Sequence, residues 1–69
     1  MKKTAGERIY EALKEAEGPL STDNIVERTG IPRPTVYYNT SRLVKEGLIE
    51  RWKGLPGIFS IKEDEKIDK

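Results

Sequence analysis

The stretch Thr29-Gly30-Ile31-Pro32-Arg33-Pro34-Thr35-Val36-Tyr37 decides how this chain folds. Proline has no amide donor, and only the first turn of a helix can spare one, so Pro32 and Pro34 open a helix and cannot lie inside it. Gly30 ends the preceding segment in the left-handed conformation that closes helices, and Ile31 is an apolar plug between two helices joined by a tight connection. Short helix, glycine turn, next helix is the rhythm of a helix-turn-helix. The helix opened by the prolines runs over about 34–46 and is stopped by Gly47. Stepping about 100° per residue from Val36 brings Thr40, Leu43 and Val44 onto one side and gathers Thr35, Tyr38, Arg42 and Lys45 on the other. One face is apolar, the other polar and basic, and Asn39 falls near the boundary.

Upstream, Thr4-Ala5-Gly6-Glu7 fits a capping box, and Ala5, Ile9, Ala12, Leu13 and Ala16 recur at helical spacing. The first helix is expected over about 5–17, with Gly18-Pro19 supplying a left-handed stop and a residue that cannot continue it. Leu20 reads as a short extended residue. Ser21 is a good N-cap for a two-turn second helix, with Asp23 meeting the positive end of its dipole and Ile25, Val26 and Thr29 facing inward. Downstream, Leu48-Ile49-Glu50-Arg51-Trp52-Lys53 and Ile58-Phe59-Ser60-Ile61 are β-rich runs around Gly54-Leu55-Pro56-Gly57. Pro56 and Gly57 suit the central positions of a type II turn, so this is a β-hairpin. The expected fold is α+β, three helices followed by a two-stranded hairpin, forming one domain over 1–61. A charged tail, 62–69, is expected to be disordered because it holds one apolar residue and no cap.

Composition removes whole classes of function. The chain has 69 residues, 36% of them charged, and neither Cys nor His. Zinc fingers, iron–sulfur sites, thiol nucleophiles and imidazole bases are therefore excluded. A chain this short has no room for an interdomain cleft, and the carboxylates of Glu11, Glu15 and Glu17 read as a solvated helix face. No catalytic residue, metal site, cofactor or small-molecule effector is expected. Nothing approaches a signal peptide or membrane span, so a soluble, cytoplasmic protein without membrane partners is expected, and Met1 favours a whole protein over an excised domain. Gln is absent while charge of both signs is plentiful, a bias that recurs in proteins from hot environments. The net charge of +1 conceals a local excess: over 31–53, five cations (Arg33, Arg42, Lys45, Arg51, Lys53) face two carboxylates (Glu46, Glu50), giving +3.

The order of elements resembles the winged helix-turn-helix domain of bacterial and archaeal transcription regulators over about residues 4–61. The most specific stretch runs from Thr29 to Tyr37 and on into Ser41-Arg42-Leu43-Val44-Lys45-Glu46-Gly47-Leu48-Ile49-Glu50-Arg51. Similar stretches occur in MarR-like, ArsR-like and ferric-uptake-type regulators. The metal sensing of the last group, which uses His and Cys, does not carry over. The resemblance implies sequence-specific binding of double-stranded DNA by a small regulator, with the third helix in the major groove and the wing on the flanking backbone or minor groove. The physical argument agrees, because an α-helix fits the major groove and each base pair displays a distinct donor and acceptor pattern there. Candidates on the third helix are Arg33, Thr35, Tyr38, Asn39, Arg42 and Lys45; Arg42 suits guanine and Asn39 suits adenine. Tyr37 matches a family tyrosine that leans to a phosphate. Arg51, Lys53 and the 54–57 tip suit backbone contact, and the Ser21 and Thr22 amides suit another phosphate.

Other readings compete at particular residues. Arg42 and Lys45 also fit a solvated face, Asn39 a local backbone bond, Tyr37 a packing role, and Trp52 either sheet packing, the favoured expectation, or an exposed anchor. A homodimer would have to use the first helix, the hairpin edge or the tail. A left-handed Z-DNA reader shares the Pro-containing wing but carries Asn, Tyr and Trp where Tyr37, Ser41 and Phe59 stand. A protein–protein module of a replication or transcription assembly is the main alternative, marked by an apolar patch around Trp52, Leu55 and Ile58.

Overall fold

The computed structural model describes residues 3–62. It contains α1 (Ala5–Ala16), β1 (Leu20–Ser21), α2 (Thr22–Thr29), α3 (Arg33–Glu46), β2 (Ile49–Arg51) and β3 (Ile58–Ile61) in that order. The expected disordered tail lies, beyond Lys62, outside the described residues.

The helix starts and two of the three helix ends follow the local punctuation. Thr4 Oγ1 accepts from the Glu7 amide at 3.1 Å while the Glu7 carboxylate accepts from the Thr4 amide at 3.0 Å, so the capping box on α1 is complete. Ser21 Oγ caps α2 by accepting from the Asn24 amide at 3.1 Å. At the end of α2, Gly30 adopts φ 72 and donates its N–H to the Val26 carbonyl; at the end of α3, Gly47 adopts φ 84. The α1 stop differs from expectation. Glu17, with φ 60, takes the left-handed position expected of Gly18. Pro19 explains the shift, because its ring disfavours helical or strained conformations in the residue before it and drives the reversal one position earlier.

The helices enclose one core. Ile9 and Leu13 of α1, Ile25 of α2, Val36 and Leu43 of α3, and Ile31 in the turn are buried together with Leu20, Ile49 and Phe59 from the three strands. Thr40 is fully buried among them, its hydroxyl satisfied by donation to the Tyr37 carbonyl. Arg8 braces α1 against α2 by donating to the Thr29 carbonyl.

Among the described residues the sheet has three strands, where a two-stranded hairpin was expected. Its order is β1-β3-β2, antiparallel throughout, with Leu20 opposite Phe59 and Ile49 opposite Ile61. Pairing Leu20 with Phe59 brings two apolar side chains into the same core, and burying both favours adding β1 to the hairpin. The turn also departs from expectation. Gly57 does not adopt positive φ, so the Leu55–Ile58 turn around Pro56-Gly57 is not type II. The left-handed residues are Lys53 (φ 52) and Gly54 (φ 74), in a tight turn over Trp52–Gly54 closed by the Leu55 amide on the Trp52 carbonyl at 2.9 Å. Two successive positive φ angles match the right-handed twist of the flanking strands. Trp52 consequently leaves the sheet, and β2 ends at Arg51.

Candidate nucleic-acid interface

The periodicity of α3 divides its residues as the core requires. Val36, Asn39, Thr40 and Leu43 are buried, and Arg33, Pro34, Thr35, Tyr37, Tyr38, Ser41, Arg42 and Lys45 are exposed. Tyr37 and Tyr38 are 63% and 65% exposed, values at which neither is a packing residue. The face therefore assembles Thr35, Tyr38, Arg42 and Lys45 in one stripe. Ser41, absent from the expected set, is exposed on the same arc, and its wheel position is the signal that identifies it.

Asn39 is not part of this face. It is 7% exposed, its amide nitrogen donates to the Thr35 carbonyl at 2.8 Å, and its carbonyl oxygen lies against Gly6 of α1. The local backbone bond is the geometry found, which removes the pairing with adenine. Gly6 is what lets α1 come so close: a Cβ there would sit 3.2 Å from Asn39 Oδ1 and 3.3 Å from Arg42 Nη2.

Two arginines of the face are engaged by carboxylates. Arg33 Nη2 donates to Asp23 in the first turn of α2, and Arg42 Nε lies 3.7 Å from Glu46 Oε2 one turn further on. Lys45, Arg51 and Lys53 make no ion pair among the described residues. On the wing, Arg51 and Lys53 are exposed, and Lys53 Nζ stands 4.7 Å from the Trp52 ring centroid. Trp52 is 36% exposed with Leu55 beside it in the open, while Ile58 is half-buried, so the expected sheet packing of Trp52 is replaced by an exposed turn. The anion site expected at the start of α2 is also altered. The Thr22 amide donates to the Gly57 carbonyl at 3.0 Å, and Ser21 pairs in the sheet while its hydroxyl serves as cap. That amide is spent on joining the wing to α2.

Three helices on a small antiparallel sheet, with the open face of the third helix carrying cations and a basic wing following it, define a winged helix-turn-helix protein. The chain matches the model of the family described as sugar-specific transcriptional regulator TrmB over residues 5–65, and it belongs to that family of DNA-binding transcription regulators. It is also similar to an uncharacterised HTH-type transcriptional regulator of the archaeon Pyrococcus abyssi, 46% identical over 46 residues. That match covers 65% of this chain and 29% of the relative, so the chain spans less than a third of the relative's length. No solved structure matches the chain. Among the described residues, no helix is long and apolar enough to cross a membrane.

Proposed function

We propose that the chain binds double-stranded DNA sequence-specifically as a transcriptional regulator, with α3 in the major groove and the wing on the flanking backbone or minor groove. The observation that carries this reading is the exposed stripe Thr35, Tyr38, Arg42 and Lys45 on a helix whose opposite face is wholly committed to the core. Arg33 and Arg42 offer planar donors to base edges, guanine above all. Thr35, Tyr37, Tyr38 and Lys45 reach bases or adjacent phosphates, and Arg51 and Lys53 neutralise flanking phosphates. The family of transcription regulators to which the chain belongs supports the reading.

Fluorescence-anisotropy titrations of mixed-sequence duplex and single-stranded DNA at two salt concentrations test it. Tighter binding of duplex, weakening linearly in log affinity as log salt rises, is expected. Selection from a randomised pool then yields the operator; two half-sites about 10 base pairs apart mark a homodimer, a single site a monomer. Equal binding of both DNA forms overturns the groove reading.

A second reading rests on the wing turn, where Trp52 and Leu55 are exposed. A partner protein anchored there makes the chain an interaction module, since tryptophan is enriched where interfaces concentrate their energy. No duplex binding even at low salt selects this reading.

A further inference from the structure

The two arginines of α3 face carboxylates, while the other cations of the proposed interface pair with none among the described residues. Arg33 donates to Asp23, a residue of another helix ten positions earlier, and Arg42 Nε faces Glu46 at 3.7 Å, an ion pair without a hydrogen bond, while its Nη2 lies against Gly6 of α1. Lys45, Arg51 and Lys53 are in no ion pair among the described residues. Stability does not account for this division. All four side chains in the two pairs are well exposed, and exposed pairs contribute little. The order Arg42 then Glu46 is the weaker of the two arrangements at this spacing. Glu46 also lies in the last turn of α3, where the helix dipole opposes a negative charge.

We infer that Asp23 and Glu46 are specificity-determining positioning residues that hold Arg33 and Arg42 away from non-cognate DNA. The inference rests on the DNA-binding reading above. A lone phosphate offers a held arginine one anion in exchange for another, which gains little. A guanine edge offers two acceptors in the plane of the guanidinium, and that bidentate geometry rewards releasing the carboxylate. Lys45, Arg51 and Lys53, in no ion pair among the described residues, then supply the sequence-independent attraction while the held arginines respond to sequence. Asp23 and Glu46 thus lower affinity for random duplex more than affinity for the operator.

The test compares the full chain with Asp23→Asn, Glu46→Gln and the double variant. Each is titrated against a mixed-sequence duplex about two helical turns long and against the tightest duplex recovered from a randomised pool. Each single variant is expected to bind the mixed duplex about two- to fivefold tighter, and its ratio of specific to non-specific affinity to fall by a similar factor. The gain should vanish in the matching arginine-free background, Asp23→Asn with Arg33→Ala and Glu46→Gln with Arg42→Ala. Asp23→Glu, which keeps the carboxylate, should restore the wild-type ratio. Thermal melting separates these effects from folding: Asp23→Asn removes an acid that favours the start of α2, whereas Glu46→Gln removes one that α3 disfavours. The stability changes therefore run in opposite directions while the DNA effects run in the same one. A gain that persists without the arginine reflects charge removal alone and overturns the inference, as does no gain at all. A wild-type chain that fails to bind duplex overturns the underlying reading first, and this inference with it.

Discussion

Asn39 and Arg42 lie about one turn apart on α3 and both reach Gly6 of α1, but Asn39 is buried there and Arg42 stays exposed. Truncating Asn39 to Ala removes its bond to the Thr35 carbonyl and should cost about 1 kcal/mol of stability. The urea midpoint should fall while duplex affinity per folded molecule holds; a loss of affinity with unchanged unfolding would put Asn39 back on the DNA. Arg42→Ala should behave in reverse, melting within about 0.5 kcal/mol of wild type and binding the operator weaker by about 1–3 kcal/mol. Normal operator affinity in that variant would remove Arg42 from the interface. The core side of α3 was legible from Val36, Thr40 and Leu43, because they repeat at helical spacing. Asn39 was not, since its place on the wheel is a boundary and what covers it is α1, brought close by Gly6. A glycine early in a well-capped helix is a faint sign of such close approach, and the partner it admits is set by tertiary packing.

At the level of elements, legibility followed the strength of local signals. Capping chemistry at Thr4, Ser21, Gly30 and Gly47 located the helix ends because it acts over a few residues. The two residues of β1 carry no periodicity of their own; their strand identity comes from Phe59, far along the chain. In the wing, Pro56-Gly57 reads as a turn, yet the left-handed positions are Lys53 and Gly54, one turn earlier. Gly30→Ala places a side chain at φ 72 in the helix-turn-helix connection and should destabilise by about 1–2 kcal/mol; guanidinium unfolding reads this, and a neutral result would mean the turn relaxes. Trp52 is the sole tryptophan, so its emission reports on the wing. Saturation with duplex should alter that emission. An unchanged spectrum at full anisotropy would place the wing off the DNA and leave α3 to bind alone.

Across the whole molecule, a net charge of +1 coexists with an excess of +3 over residues 31–53, so attraction to DNA is regional. If all five cations of that stretch meet phosphates, log affinity should fall with log salt at a slope of about −4.5; contacts to bases make it shallower. Lys45→Ala should reduce the slope by about 1, and an unaltered slope would show that Lys45 meets no phosphate.

The strand order β1-β3-β2 puts the last strand among the described residues in the middle of the sheet. During synthesis, Leu20 and Ile49 therefore emerge before their partners Phe59 and Ile61. The helices can gather as soon as α3 has left the ribosome, but both outer strands wait for β3 with their backbone groups unpaired. Folding of this domain is completed from its C-terminal side, and a chain cut after Gly54 should retain helical content while losing its cooperative transition. Whatever sequence follows residue 61 is tethered to the centre of the sheet, so a pull on that end is borne first by the strand that both neighbours depend on.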